Sequence, residues 1–240
     1  RPEDQYQTAH IHGAIHLDPD TLSEERDGVI GLLKDQHTVE TLIYRAGIQR
    51  GKTIVVYSAM EAASDLKRAS RLFWILETVN FEDVHVLDGG FAKWKTEGHP
   101  LCQGHKSIQH TGEVPEDAYS ESLNTSIVGK DTLIRIQESG DGTIVDLRPE
   151  TQYDGTDKQD FVERSGHIKD AVNIPAPSFL EGSFFLFKDP SNLSTLAEQT
   201  IKNKDAPVVT YCNTGRDATV GYLGLRIAGH KNVSVYDGSM

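Results

Sequence analysis

The first half of this 240-residue chain is repeated in its second half, in residue type and in order. The clearest match pairs Arg1-Pro2-Glu3 and Tyr6 with Arg148-Pro149-Glu150 and Tyr153, at the same internal spacing. Four further blocks match in register: residues 9–15 with 166–172, 54–57 with 208–211, the helical segments 65–79 with 218–228, and 84–90 with 233–239. Blocks that recur in one order predict a duplicated domain.

Each copy alternates short apolar runs with segments whose apolar residues recur at helical spacing. In the second copy this pattern predicts strands at residues 126–128, 144–147, 208–211 and 233–236, and helices at 131–138 and 218–228. Such alternation is typical of a mainly parallel sheet flanked by helices, so we expect an α/β fold with two tandem domains. The predicted domains are residues 1–112 and 126–240, with a linker at 113–125.

The two copies differ at their edges and in one insert. The first copy begins just after the position where the counterpart of strand 144–147 should end, which predicts a natural chain that extends upstream and has room for a third repeat. Residues 236–238 resemble the start of another turn, which predicts an extension past Met240. From Arg148 to His167 there are 19 positions, against 9 from Arg1 to His10. The charged insert, residues 155–165, is expected to be exposed and to shape access to a nearby site.

Cys212 is the strongest candidate for a reactive residue. It follows an apolar run and precedes a Gly-containing loop and a helix, so it lies where a strand ends and a helix begins. Backbone N–H groups of residues 213–218 can converge on its sulfur, and the positive end of the helix adds to them. Both effects favour the nucleophilic thiolate. The alternative is a buried structural cysteine, the usual fate of a free thiol.

Composition excludes some classes of function. The net charge is −12 and both copies are acidic, so nucleic-acid binding is not expected. No apolar run approaches the 18 residues of a membrane span. The two cysteines lie in different halves and indicate no disulfide framework. A reduced thiol suits the cytoplasm, but a periplasmic or mitochondrial chain that had lost its targeting segment would look the same.

Other polar residues near the predicted strand ends have simpler interpretations. The histidine-rich stretch at residues 10–16 suggests metal ligands, but the matching segment at His167 lacks that density, so we expect a repeated turn, no metal and no cofactor. Asp146 is expected to orient the loop or Arg148. Arg148 either holds an anionic substrate or braces that carboxylate. Asp217 is expected to be the N-cap of the following helix.

The chain resembles the tandem-domain rhodanese sulfurtransferases, which comprise thiosulfate and 3-mercaptopyruvate sulfurtransferases. The resemblance covers almost the whole chain and rests on DLRPETQYDG (146–155), GHIKDAVNIP (166–175), YCNTGRDAT (211–219), VSVYDGS (233–239) and LDGGFAKW (87–94). It implies a non-catalytic first domain, with Ser58 in place of the cysteine, and a catalytic second domain. There Cys212 would take a sulfane sulfur from a donor as a persulfide and pass it to a thiophilic acceptor.

The resemblance also implies a set of site residues and partners. The substrate-binding residues would be Arg148 and the loop residues Asn213, Thr214, Gly215, Arg216 and Asp217, with Asp146 and His167 in support. The partners would be a small-molecule sulfur donor, cyanide or a thiol as acceptor, and a sulfur-accepting protein such as thioredoxin.

The loop departs from both subclasses of the family. Thiosulfate-specific members carry two cations directly after the cysteine, where this chain has Asn213 and Thr214. Mercaptopyruvate members have two arginines earlier in the domain, where this chain has Asp154 and the insert near Lys158 or Arg164. The resemblance therefore leaves the donor open.

Two other functions remain as alternatives. Cysteine phosphatases and arsenate reductases also place a cysteine before an anion-binding loop, but they need an arginine six positions later, where this chain has Ala218. A non-enzymatic binding or regulatory module fits the first copy, which has Ser58, better than the second, which has Cys212.

Overall fold

A computed structural model describes residues 1–104 and 114–240. It divides into two compact units, Arg1–Glu24 with Leu33–Asn124, and Glu25–Leu32 with Thr125–Met240. The predicted domain end at residue 112 and the linker start at 113 lie outside the described residues. The described part of the predicted linker up to Asn124 belongs to the first unit.

The first part of the chain, through residue 104, contains short strands and four helices. The helices are α1 (Glu3–Thr8), α2 (Gln36–Arg45), α3 (Ala63–Thr78) and α4 (Gly90–Thr96). The strands are β1 (His10–Ile11), β2 (Ser23–Arg26), β3 (Val29–Leu33), β4 (Ile54–Val56), β5 (Val84–Val86) and β6 (Leu101–Cys102). Strands β4 and β5 are parallel, β1 and β6 are antiparallel, and β2 pairs with β3. One-turn 3-10 helices occur at Pro19–Leu22 and Glu116–Ala118.

The second unit continues the same alternation. Its strands are β7 (Ile127–Val128), β8 (Thr143–Asp146), β9 (Val172–Asn173), β10 (Leu180–Glu181), β11 (Leu186–Phe187), β12 (Val208–Tyr211) and β13 (Val233–Tyr236). Its helices are α5 (Lys130–Ser139), α6 (Glu150–Tyr153), α7 (Pro190–Glu198) and α8 (Arg216–Ile227), with a 3-10 turn at Ala176–Phe179. The predicted α/β fold is therefore confirmed, with the strands at 208–211 and 233–236 at their predicted bounds.

A five-stranded parallel sheet in the order β7-β13-β12-β8-β9 forms the centre of the second unit. Every residue of β12 is buried, as expected for a parallel strand covered on both faces. Its neighbours are β8 and β13, and Tyr211 lies opposite Asp146 in the register. Cys212 is therefore the first residue beyond the carboxyl end of the central strand.

Helix α8 approaches the core closely through two glycines. A Cβ atom at Gly221 would clash with the side chain of Leu147, and one at Gly224 would clash with the ring of Phe179. Any larger residue at either position would push the helix outward. These contacts fix the height of the N-terminus of α8 above the end of β12.

The start of α8 corrects the predicted helix cap. The helix begins at Arg216, and its N-cap is Gly215, whose φ of 75° is in the left-handed region that glycine adopts easily. Asp217 lies in the first turn and is not the N-cap. The predicted helix start at residue 218 is two residues too late, because the loop after Cys212 is two residues shorter than expected.

The turn at His10 in the first copy and the turn at His167 in the second copy make the same hydrogen bond and the same ring contact. The ring Nδ1 of His10 donates to the carbonyl oxygen of Tyr6 (2.9 Å), and that of His167 donates to the carbonyl of Tyr153 (2.8 Å). Each imidazole also stacks on the tyrosine that it contacts, with centroids 4.2 Å and 3.8 Å apart. The histidines of this turn thus have a structural role in the described fold.

The insert at residues 155–165 is held to the second unit by a backbone hydrogen bond and by one buried side chain. The N–H of Asp157 donates to the carbonyl of Thr151 (3.0 Å), and Val162 is buried. Phe161, next to that anchor, is 45% exposed. The expectation of an exposed insert therefore holds for most of its residues but not for Val162.

His230 is a buried titratable group outside the predicted site. It is 2% exposed, and neither ring nitrogen has a hydrogen-bond partner within the described residues. Burial, and to a smaller extent Lys204, lowers its pKa. The charged form is therefore disfavoured in the folded protein.

We predict that His230→Leu stabilises the protein, by about 1 kcal/mol at pH 8 because an unsatisfied polar group is removed. The gain should be larger at pH 5. Because the pKa of His230 is lower in the folded protein than in the unfolded chain, the unfolded chain takes up a proton first as the pH falls. The native protein therefore loses stability as the pH falls through the pKa of an unfolded histidine, about 6.5. Urea unfolding of both proteins at the two pH values measures this, and an equal gain at both would contradict it.

Candidate active site

Cys212 is buried at the junction of β12, the loop and α8. Only 1% of the surface of Cys212 is exposed. Its sulfur accepts hydrogen bonds from the backbone N–H groups of Thr214, Asp217 and Ala218. These donors come from the loop and from the first turn of α8, which is the arrangement that the strand, loop and helix pattern predicted.

The pKa of the Cys212 thiol is nevertheless raised above its ordinary value. Burial is the largest cause, since it penalises the charged thiolate, and the carboxylate of Asp217 adds to it. The three backbone N–H groups act in the opposite direction. The sequence predicted the donors but missed both opposing effects, so its expectation that the thiolate is favoured over the thiol is wrong.

A buried network lies at the strand ends below the loop. Asp146 and Arg148 are 0% and 1% exposed, and the guanidinium Nη2 and Nε of Arg148 donate to the carboxylate at 2.6 to 3.1 Å. The hydroxyl of Tyr211 donates to the same carboxylate (2.7 Å) and accepts from the N–H of Ile168 (3.1 Å). Burial and Asp146 raise the pKa of Tyr211, which remains a neutral donor. These contacts favour the brace interpretation of Arg148 over substrate binding.

His167 lies beside this network without entering it. Nη2 of Arg148 donates to the carbonyl of Gly166 (2.8 Å), the residue before His167. The imidazole itself is exposed and is held by Tyr153. His167 therefore shapes the turn to which Arg148 is attached.

Asn213 is held by a residue that the sequence analysis did not select. Its side-chain Nδ2 donates to Oε1 of Gln152 (2.8 Å), which is 5% exposed. The signal was present in the repeat, because Gln5 occupies the matching position in the first copy. There the residue aligned with Asn213 is Ala59, and Oε1 of Gln5 has no partner among the residues described. The Gln152–Asn213 contact is thus a feature of the second copy.

A hairpin encoded in the first copy lies against the loop. The segment Glu25–Leu32, from strands β2 and β3, belongs to the second unit. A Cβ atom at Gly31 would lie 2.7 Å from the backbone oxygen of Thr214. The sequence analysis missed this contact because it treated each copy as a separate domain.

The matching loop of the first copy is arranged differently. Ser58 is 2% exposed, and its Oγ has no hydrogen-bond partner in the described part of the chain. The N–H groups of Glu61 and Ala62 donate to the Asp65 carboxylate at 2.9 and 3.1 Å. A carboxylate of the chain itself thus uses loop amides in the first copy, whereas in the second copy loop amides bind the sulfur of Cys212.

Residues 1–104 and 114–240 contain neither a metal-binding cluster nor a membrane-spanning helix. No group of three or more His, Cys, Asp or Glu side chains there is arranged to hold a metal ion. No helix in these ranges combines the length and apolar character needed to cross a membrane.

Comparison with known proteins gives matches over nearly the whole chain. A protein-family model described as Rhodanese-like domain matches residues 1–97 and 130–240. A putative thiosulfate sulfurtransferase of Synechococcus elongatus is 30% identical and the alignment covers 98% of this chain and 72% of that protein. The 3-mercaptopyruvate sulfurtransferase of Escherichia coli is 28% identical over 98% of this chain and 80% of the relative.

Solved structures match the fold. The crystal structure of SseA from Escherichia coli, described as a 3-mercaptopyruvate sulfotransferase, has a TM-score of 0.83 at 24% identity, with 100% of this chain and 86% of that chain covered. The anaerobic ergothioneine biosynthesis enzyme from Chlorobium limicola has a TM-score of 0.85 at 21% identity, with 100% and 59% covered. The present chain thus spans about three fifths of the latter protein. At these identities the likeness concerns the fold alone.

We predict that Asp217→Asn makes the Cys212 thiol more reactive. Removal of a nearby negative charge lowers the pKa of the thiol, so alkylation by iodoacetamide at neutral pH should be about three- to tenfold faster. Asp205→Asn is the matched control, because exposed Asp205 precedes the opposite end of β12. Equal rates in the two variants, measured by mass spectrometry of the Cys212 peptide, would contradict the role given to Asp217.

We also predict different costs for two glycines of the hairpin. Gly28 and Gly31 both have left-handed φ angles, 79° and 89°, but only at Gly31 would a Cβ atom meet other residues. Gly28→Ala should reduce the free energy of unfolding by about 1 kcal/mol through backbone strain. Gly31→Ala should reduce it by about 2 to 4 kcal/mol, since overpacking against Thr214 adds to the strain. Urea unfolding compares them, and equal losses would show that the hairpin does not support the loop.

Proposed function

Because this chain belongs to the rhodanese-like domain family, we propose that it is a sulfurtransferase that carries a sulfane sulfur on Cys212. Its similarity to sulfurtransferases over nearly its full length supports a transferase. The observation that carries the proposal is the set of three backbone N–H groups on the sulfur of the second unit's cysteine. Thiosulfate and 3-mercaptopyruvate are the candidate donors, and cyanide, small thiols or a protein thiol such as thioredoxin the candidate acceptors.

The proposed cycle has two steps. The Cys212 thiolate attacks the outer sulfur of thiosulfate or the thiol sulfur of 3-mercaptopyruvate. The S–S or C–S bond of the donor breaks, its electron pair leaves with the rest of the donor, and a cysteine persulfide forms. With thiosulfate the leaving group is sulfite; with 3-mercaptopyruvate it is the enolate of pyruvate, which takes up a proton. The acceptor then attacks the outer sulfur of the persulfide and the Cys212 thiolate leaves. Cyanide becomes thiocyanate, and a thiolate becomes a persulfide.

The loop amides supply the electrostatic part of this chemistry. Donors that are already oriented stabilise negative charge in a buried site far more than water-exposed ones do. The N–H groups of Thr214, Asp217 and Ala218 are aimed at the sulfur. They favour the thiolate before attack and the sulfur that carries charge afterwards. Asp146, Arg148 and Tyr211 position the strand end from which the loop starts.

The first unit takes no part in the proposed chemical steps. Ser58 replaces the nucleophile, and the amides of Glu61 and Ala62 already bind Asp65. Within the chain this leaves Cys212 as the proposed sulfur carrier. The phosphatase alternative loses support, because the position that would need an arginine is Ala218, whose N–H donates to the sulfur.

We predict that Cys212→Ser lowers thiocyanate formation from either donor by at least about 1,000-fold, because the nucleophile of both steps is lost. Ser and Cys have similar shapes, so the circular dichroism spectrum and the unfolding midpoint should change little. Ser58→Ala is the matched control in the first unit and should keep its activity. Survival of sulfur transfer in Cys212→Ser would overturn the proposed function.

A further inference from the structure

The first residue of the loop after Cys212 is held by a side chain from another element. Asn213 follows Cys212 directly, and its Nδ2 donates to Oε1 of Gln152 at 2.8 Å. Oδ1 of Asn213 is buried and has no hydrogen-bond partner within residues 1–104 and 114–240. The hydrogen bond to Gln152 is therefore the contact that orients the Asn213 side chain.

Gln152 is well placed to hold Asn213. It lies in the short helix α6 and is 5% exposed, and its backbone N–H donates to the carbonyl of Pro149 (3.0 Å). A buried side chain on an anchored turn has few other positions to adopt. Both side chains of the pair are carboxamides, which do not titrate. The hydrogen bond therefore adds no charge beside the loop and does not depend on pH.

The orientation of Asn213 sets the direction of an amide at the reacting atom. The N–H of Thr214 donates to the Cys212 sulfur, and it lies in one planar peptide unit with the Cα and carbonyl group of Asn213. A rotation of that unit turns the N–H away from the sulfur. The next peptide unit is confined as well, since a Cβ atom at Gly31 would lie 2.7 Å from the backbone oxygen of Thr214. The loop is thus fixed at two successive residues.

The first copy shows that the turn does not need this hydrogen bond. Gln5 matches Gln152, but the residue aligned with Asn213 is Ala59, and Oε1 of Gln5 is buried without a partner in the described ranges. The short helix and the stacked tyrosine and histidine are nevertheless present in both copies. The glutamine has its partner in the copy whose loop surrounds a cysteine, which points to a role at the sulfur.

We propose that Gln152 is a positioning residue for sulfur transfer: through its hydrogen bond to Asn213 it holds the loop so that the N–H of Thr214 is aimed at the Cys212 sulfur. This inference rests on the proposed sulfurtransferase function, to which it adds a residue outside the loop. Gln152 acts through Asn213, so its effect is on the rate of the reaction and not on the binding of the donor.

The test removes the partners of this hydrogen bond singly and together. Gln152→Met and Asn213→Leu each replace a carboxamide by an apolar group of similar shape, and the double variant replaces both. Each protein is mixed with a concentration series of thiosulfate or, separately, of 3-mercaptopyruvate. The donor's outer or thiol sulfur passes to Cys212, and sulfite or pyruvate leaves. Intact mass then gives the maximal rate constant of persulfide formation and the half-saturating donor concentration. Gln5→Met is the matched control in the first copy.

We expect Gln152→Met to lower the maximal rate constant by about 3- to 10-fold, the net effect of one hydrogen bond. The half-saturating concentration should not change, because an interaction that acts only in the transition state is lost. Asn213→Leu should give the same reduction and the double variant no further one, since all three lose one shared contact. Gln5→Met should load Cys212 at the native rate. Urea unfolding of each variant measures any loss of stability separately.

The outcomes separate this inference from the function on which it rests. If neither donor adds sulfur to Cys212 in the native protein, the sulfurtransferase proposal fails. If the native protein is loaded and Gln152→Met is loaded equally fast, the role of Gln152 is overturned and the function stands. Losses that multiply in the double variant would also overturn it, because the two residues would then act independently. Gln152→Leu gives the same comparison should methionine disturb folding.

Discussion

The site depends on one conflict, the burial of a sulfur that must carry negative charge. Burial raises the pKa of Cys212, while backbone N–H groups from the loop and α8 act to lower it. Those donors converge only because Gly215 permits a tight loop and because α8 lies close to the core at Gly221 and Gly224. The parallel sheet, the glycines and the helix start thus serve a single arrangement around one atom.

Because the domain is duplicated, the chain contains two loops of this kind, and only the loop of the second copy surrounds a cysteine sulfur. Both copies keep the turn with stacked tyrosine and histidine, and both end a strand at a loop that precedes a helix. They differ in what binds the loop amides, Asp65 in one copy and the sulfur of Cys212 in the other. A carboxylate of the chain satisfies such amides permanently, whereas a cysteine leaves them available for chemistry on its sulfur.

The sequence predicted most of the fold but less of the site. Strands such as β12 and β13 were predictable because apolar β-branched runs show directly in the residues. The start of α8 was not, because the left-handed Gly215 ends the loop before the first apolar residue of the helix. The contact between Gly31 and Thr214 joins residues far apart in sequence, which no local pattern can reveal. The effect of Asp217 on the thiol is likewise a matter of distance and burial.

The measurement that tests the central claim most directly is the intact mass of the protein after incubation with thiosulfate or, separately, with 3-mercaptopyruvate, followed by peptide mapping. The account predicts a gain of one sulfur atom, located on the peptide that contains Cys212 and removed by cyanide. Cys102 is the internal reference, because it is the other free thiol in the chain. Absence of the added sulfur with both donors, while Cys212 still reacts with an alkylating reagent, would contradict the account.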